Sequence, residues 1–245
     1  MRYLILSDIH GNWEALEAVA AHARGAYDAV LCCGDLVGYC ADPNRVIEWA
    51  RENVAVGVRG NHDKGCAGLV DLEWFNPVAR SAAEWTWRAL TSDNLSYLRE
   101  LPKGPVMVGA FQILHGSPLD EDGYLTSVFD ATQILSYLET QVSFFGHTHV
   151  QGGFICQGNG VRRIVGPRGS GKTAIGIEPE TGYLVNPGSV CQPRDGDPRA
   201  PYALYDPEAR VVEFRRVAYD VAEAQRKIRA AGLPEILAVR LETGN

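Results

Sequence analysis

Three times before Asp63 the chain runs through a short apolar stretch, halts at polar residues and resumes in a helical pattern. Tyr3–Leu6 stops at Ser7-Asp8, Ala29–Cys33 at Gly34-Asp35, and Val54–Val58 just before Gly60-Asn61-His62. Asn12 is placed to cap a helix from Trp13 to about Ala23, with Trp13, Leu16, Ala20 and Ala23 as its apolar residues. Asp42-Pro43 starts a second helix through Trp49. Short apolar runs alternating with helices predict parallel strands in an α/β fold. In such folds the loops at the strand ends converge where ligands bind.

The rhythm then changes. From about Gly65 to Leu101 the pattern is mainly helical and holds Trp74, Phe75, Trp85 and Trp87. Pro105–Val108 and Phe111–His115, separated by Gly109-Ala110, fit a hairpin. Val142–Phe145, Gly153–Gln157, Arg162–Val165, Tyr183–Val185, Tyr202–Tyr205 and Val211–Val217 add short strands, and an amphipathic helix runs from Val221 to about Ala231. With no linker, repeat or low-complexity tract, one domain over residues 1–245 is expected: two packed sheets flanked by helices. The final helix, with Val221 and Ile228 on its apolar stripe, is expected to pack on a sheet, with a homodimer contact as the alternative.

Net charge decides which partners suit the chain. At −7 over 245 residues it is a poor generic binder of nucleic acid or anionic membrane. An anionic substrate would need a local positive centre. The six cysteines show no CxxC spacing and read as reduced, small core side chains. With no apolar run near the ~18 residues of a membrane span and no signal-peptide pattern, a cytoplasmic protein is expected.

The polar clusters carry the chemistry. They are Asp8-Ile9-His10, Gly34-Asp35, Gly60-Asn61-His62-Asp63, His115-Gly116 and Gly146-His147-Thr148-His149, and they hold five of the six histidines. This composition gives only about 0.015 chance occurrences of Gly-His-x-His. Imidazole, carboxylate and one carboxamide, without thiolate, suit divalent Mn²⁺, Fe²⁺, Ni²⁺ or Zn²⁺. Seven such donors are too many for one tetrahedral ion and fit two ions that share a carboxylate. Paired metals ionise a bridging water and clamp the attacking and leaving oxygens of a phosphoester. Two dications would also supply the missing positive centre.

Asp8-x-His10, Gly34-Asp35, Gly60-Asn61-His62-Asp63, His115 and Gly146-His147-x-His149, in that order, resemble the calcineurin-like metallophosphoesterase superfamily. Asn186-Pro187-Gly188-Ser189-Val190 and Gln192-Pro193-Arg194 resemble its small bacterial and archaeal phosphodiesterase branch. The resemblance spans Met1 to about Pro201. It implies a four-layer αββα sandwich of two mixed β-sheets. It also implies two divalent metal ions, Mn²⁺ first among them, with a small phosphate ester or nucleotide as substrate. Asp8, His10, Asp35 and His149 would bind one ion. Asp35, as the bridge, would bind the other with Asn61, His115 and His147. The metal-bridging hydroxide would attack the phosphate, while His62 binds it and protonates the leaving oxygen.

Two departures narrow the reading. Ser/Thr protein phosphatases read GDxxDRG, whereas this chain has Gly34-Asp35-Leu36-Val37-Gly38-Tyr39-Cys40. Gly38 stands where their second acid pairs with the catalytic histidine, so that activity is not expected. Cys40 and Cys191 stand where close relatives usually have glycine, and read as small side chains tolerated in turns rather than as ligands.

Several features compete for a role. Gly166–Thr173 matches the P-loop pattern GxxxxGK[ST], but the glycines and proline after it argue against the helix a P-loop needs. A Gly-rich hairpin tip is expected there, with Arg168 and Lys172 as a distal anion contact in the alternative. Trp74 and Phe75 are expected in the core rather than over the site. Arg194, following a proline in a loop, reads as structural. A dinucleoside polyphosphate hydrolase is the second enzymatic reading. A metal-poor interaction scaffold, such as the retromer-coat protein of the same fold, is the reading from another class. That scaffold lacks the catalytic histidine, which is present here as His62.

Overall fold

In the computed structural model, which describes residues 1–158, 160–167 and 171–245, the opening rhythm becomes β1 (Tyr3–Leu6), α1 (Trp13–His22), β2 (Ala29–Cys32), α2 (Pro43–Asn53) and β3 (Val54–Gly57). Asn12 caps α1 by accepting a hydrogen bond from Ala15 N, and Pro43 opens α2 with its ring locked in helical φ. Next come α3 (Asn61–Cys66), α4 (Pro77–Ala89), α5 (Ser92–Glu100), β4 (Val106–Val108), β5 (Phe111–Ile113) and α6 (Val128–Gln133). The remainder is β6 (Val142–Phe144), β7 (Gly152–Gln157), β8 (Gly160–Val165), β9 (Thr173–Gly176), β10 (Thr181–Asn186), β11 (Ala200–Asp206), β12 (Val211–Val217), α7 (Val221–Ala230) and α8 (Glu235–Thr243).

The strands form two mixed six-stranded sheets, ordered β3-β2-β1-β11-β12-β9 and β4-β5-β6-β10-β7-β8. Strands β3, β2 and β1 run parallel, as do β5, β6 and β10; the other pairings are antiparallel. Alternation along each strand divides the core. Ile5, Leu31, Ala203 and Phe214 meet Ile113, Phe144, Tyr183 and Val185 between the sheets. Leu4, Leu6, Val30 and Cys32 face outward onto Leu16 and Val19 of α1 and Val46 and Ile47 of α2. On the far side Phe145, Phe154 and Leu184 pack beneath Ala131 of α6. The result is the expected αββα sandwich.

Four expectations need correction. The Gly60-Asn61-His62-Asp63 segment is not a loop throughout, because Gly60 caps a short helix that begins at Asn61. Strands β8 and β9 on either side of Gly166–Lys172 belong to different sheets and so form no hairpin, and residues 168–170 between them lie outside the described residues. The absence of a P-loop helix is as expected: Lys172-Thr173 leads into a strand. Helix α7 rests on α8 and α1 in a cluster free of strand residues, with Ile228 beside Leu237 and Cys191, rather than on a sheet. Trp74, expected in the core, is 93% exposed. No helix among the described residues is long and apolar enough to cross a membrane.

Candidate metal centre

The ends of β1, β2, β3, β5 and β6 deliver the polar clusters to one place. Asp8 N donates to Gly34 O at 2.9 Å and His10 N to Asp35 O at 2.9 Å, so the first two loops brace each other. Asp8, His10, Asp35 and His149 each offer a donor atom within 4.8 Å of the others, and Asp35, His115 and His147 form a second such group. Asn61 Oδ1 lies 3.2 Å from His115 Nε2. All seven predicted ligand residues are therefore gathered around Asp35, and His62 N donates to Asp35 Oδ1 at 2.8 Å.

Hydrogen bonds settle which ring nitrogens are free. His10 Nδ1 faces Val37 O at 3.1 Å, His115 Nδ1 faces Cys33 O at 2.8 Å, and His149 Nδ1 faces Gln192 O at 2.7 Å. A carbonyl can only accept, so each Nδ1 carries the proton and each Nε2 of a neutral ring presents a lone pair. His10 Nε2 and His149 Nε2 then point lone pairs at each other across 3.1 Å. Asp35 Oδ2 is buried without a hydrogen-bond partner among the described residues. It sits 3.6 Å from His10 Nε2 and 3.5 Å from His115 Nε2. Acceptors crowded against acceptors are repulsive unless cations lie among them, and on both sides of Asp35 the donor set fits divalent ions.

Electrostatics agree with that chemistry. Burial, reinforced by the neighbouring Asp35, pushes the Asp8 carboxyl up to about 7, and burial beside Asp63 pushes Asp35 well up. Burial drives His10 and His149 well down, and takes His147 down to about 2. Burial thus disfavours charge on the rings and on the carboxyls alike, and compact dications among them would offset the cost of ionising the carboxyls.

Backbone strain is concentrated here too. Asp8, His10, Asp35, His147 and His149 all have positive φ, between 49° and 66°. Glu180 and Arg210 are the only other non-glycine examples among the described residues. Such conformations cost about 1–3 kcal/mol each and persist where the surroundings over-determine them. At Gly60 the need is for space: a Cβ there would lie 2.6 Å from Asp35 N.

The chain matches the calcineurin-like phosphoesterase superfamily domain over residues 1–210. The chain belongs to the calcineurin-like phosphoesterase superfamily. It is 38% identical to a metallophosphoesterase from Sphaerobacter thermophilus, with a TM-score of 0.87 and coverage of 100% of this chain and 99% of that one. It is 33% identical to an uncharacterized protein of Methanocaldococcus jannaschii over 98% of this chain and 97% of that one. A hypothetical protein from Pyrococcus horikoshii, 21% identical, shares the fold at a TM-score of 0.79 over 100% and 98% of the two chains.

Within this member of the superfamily, His62 stands in an aromatic box. Its ring lies 4.4 Å from that of Tyr39, 4.8 Å from His10 and 5.2 Å from Phe75. Phe75 is thus half-buried against the site, whereas Trp74 is not. His62 Nδ1 is buried without a partner, and Gly38 faces it so closely that a Cβ would collide with the ring. No acid can occupy that position without moving His62. Burial, aided by the charges of His115 and Arg194, holds the His62 imidazole down to about 3.

The residues that hold the loops lie within the sequence motifs but are not among the predicted ligands. The Asp63 carboxylate accepts from Asp35 N at 2.8 Å, Gly60 N at 2.9 Å and Val37 N at 3.3 Å, tying the ends of β2 and β3 together. Asn186 Nδ2 donates to Gly146 O at 2.8 Å, and Ser189 Oγ donates to Asp8 O at 2.9 Å. Their signal was adjacency to the motifs: backbone-binding side chains cluster where loops must be immobilised. Cys40 and Cys191 touch each other, Sγ to Sγ at 3.2 Å, and belong to neither donor group. Lys172 pairs with Glu213 at 3.5 Å, and Arg168 lies outside the described residues.

Proposed function

We propose that the chain is a binuclear metal-dependent phosphoesterase acting on phosphodiesters or phosphomonoesters, with Mn²⁺ the first candidate ion. The observation that carries this reading is the unpartnered Asp35 Oδ2 between the proton-free Nε2 atoms of His10 and His115. Asp8, His10, Asp35 and His149 would hold one ion, and Asp35, Asn61, His115 and His147 the other. When bound, two such ions supply an ionised water and neutralise charge on the phosphate.

The chain's own residues do the rest. The carbonyls of Val37, Cys33 and Gln192 keep the three imidazoles in the ligating tautomer. Asp63 fixes the Asp35 backbone, so the shared carboxylate stays in register with both groups. His62 is the general acid: an anionic phosphate beside the ring raises its proton affinity, and Nε2, the ring nitrogen that Gly38 does not crowd, then protonates the departing oxygen. Half-buried Arg194, whose backbone N–H donates to His149 O at 3.0 Å, adds positive charge beside the site.

The test is hydrolysis of bis-p-nitrophenyl phosphate and p-nitrophenyl phosphate by chelator-stripped protein, with Mn²⁺, Fe²⁺, Ni²⁺ or Zn²⁺ restored. Activity should return with metal and be lost in His62→Ala and Asp35→Asn. Folded protein that cleaves neither ester with any of these ions would overturn the reading.

A further inference from the structure

Beside the candidate metal centre lies a cavity of about 400 Å³, within the size range of small-molecule sites. It adjoins the centre through Thr148, which lines it and stands between His147 and His149. Arg194 joins from another side, its N–H donating to His149 O at 3.0 Å. Phe154 and Val165, on the same face of the β7–β8 ladder, give the cavity an apolar wall.

Most polar groups around this cavity are committed. Gln151 Nε2 donates to the carbonyls of Pro187, Tyr202 and Arg215, each at 3.1 Å. Arg216 is tied to Gln151 Oε1 at 3.1 Å and to the Asp195 carboxylate at 3.0 Å. Two guanidiniums remain. Arg163, opposite Phe154 across the β7–β8 ladder, and Arg194 have no side-chain hydrogen bond or ion pair among the described residues.

An uncharged apolar ligand would leave both arginines unused, and a bare phosphate would leave the apolar wall unused. We propose that the cavity binds the arm of a phosphodiester that stays on phosphorus, an arm joining an aromatic ring to a second anionic group. Arg194 and Arg163 hold that anion, and the Phe154–Val165 wall takes the ring. A carboxylate and a phosphate share the chemistry the guanidiniums recognise. The inference rests on the phosphoesterase reading and names a substrate class for it.

Three matched esters test it: phenyl, 4-carboxyphenyl and 4-phosphonophenyl p-nitrophenyl phosphate, each releasing p-nitrophenol. At least one anion-bearing ester should exceed the phenyl ester by about tenfold in kcat/KM, chiefly through KM, as one charge-assisted contact allows. Which of the two leads identifies the anion. Arg194→Gln and Arg163→Gln should each lower that ratio several-fold, the double variant should bring it to about one, and Arg194→Lys should restore part of it. A wild-type ratio near one, or a ratio untouched in the double variant, overturns the proposal.

Calorimetric binding of the same esters to chelator-treated protein separates this proposal from the reading it rests on. Preferential binding of an anion-bearing ester, lost in the double variant, supports the subsite even if no metal restores hydrolysis. Equal binding of all three esters refutes the subsite even if hydrolysis is restored.

Discussion

Replacing Gly38 with alanine should damage the chemistry while leaving the metals in place. A Cβ on Gly38 would stand 2.9 Å from both Cβ and Cγ of His62, where ordinary contacts begin at 3.4 Å. His62 Nδ1 would be closer still, so the ring must yield by more than about half an ångström, and it cannot retreat inward because Tyr39, His10 and Phe75 enclose it. Gly38 also has φ +130°, which side-chain-bearing residues rarely adopt, at a strain of about 1–3 kcal/mol. A misplacement of ~1 Å can cost ~100-fold in rate. The expected loss in kcat is therefore roughly ten- to hundredfold, or about 1.4–2.7 kcal/mol of barrier. Gly38 supplies no predicted ligand, so metal content by mass spectrometry should match wild type, while the melting temperature falls by several degrees. His62→Ala is the reference. The reasoning fails if Gly38→Ala keeps kcat within twofold, or if activity falls only in proportion to metal content.

Metal counting should separate the two ion sites: His149→Ala loses one ion per chain, His147→Ala the other, and Asp35→Asn both, each seen by mass spectrometry after dialysis. Metal at 100 times its dissociation constant should stabilise the wild type by about 2.7 kcal/mol per site, read as a melting shift that Asp35→Asn abolishes. Glu121 ties α3 to the loop after β5. Burial pushes its carboxyl up, but hydrogen bonds from Arg59 and Lys64 outweigh this and bring it down to about 2. A depressed folded value means this stabilisation is full above about pH 5 and is lost as pH falls towards 2. Glu121→Gln should thus cost about 1 kcal/mol at pH 7 and flatten the acid limb of the pH–stability curve. Trp74→Ala should change stability by no more than about 0.5 kcal/mol in denaturant melts, because its side chain contacts mostly water.

What the sequence made legible follows from the range of the forces involved. β1, Tyr3–Leu6, was readable because an apolar run ending at Ser7-Asp8 is a local pattern. The cap at Asn12 and the proline opening α2 are local as well. The site residues could be named because their types and spacing are improbable by chance. Trp74 was misplaced because an aromatic beside a helical segment carries no sign of which side faces water. Strand β9 escaped because its partner β12 lies far along the chain and it alternates half-buried with exposed residues. For α7 the sequence shows the boundaries but not the neighbour, since a stripe shows that a helix buries a face and not what covers it. That the Arg194 guanidinium has no partner among the described residues is invisible for the opposite reason: a missing partner is a property of the folded surroundings.

The strained backbone and the lone-pair crowding have a common logic. Five site residues hold positive φ, and three imidazoles aim proton-free nitrogens at an acceptor or at each other. Each feature opposes folding, yet each is held by bonds made outside the site: Asp63 to Asp35 N, Ser189 to Asp8 O, and three carbonyls to the Nδ1 atoms. The scaffold thus holds the donors converged before any ion arrives, and ion binding then recovers the repulsion stored among them. Preorganisation of this kind predicts that the chelated protein stays folded and melts earlier than the loaded one. A protein that unfolded on chelation would instead place the burden of holding the loops on the ions, and would remove Asp63 and Ser189 from that role.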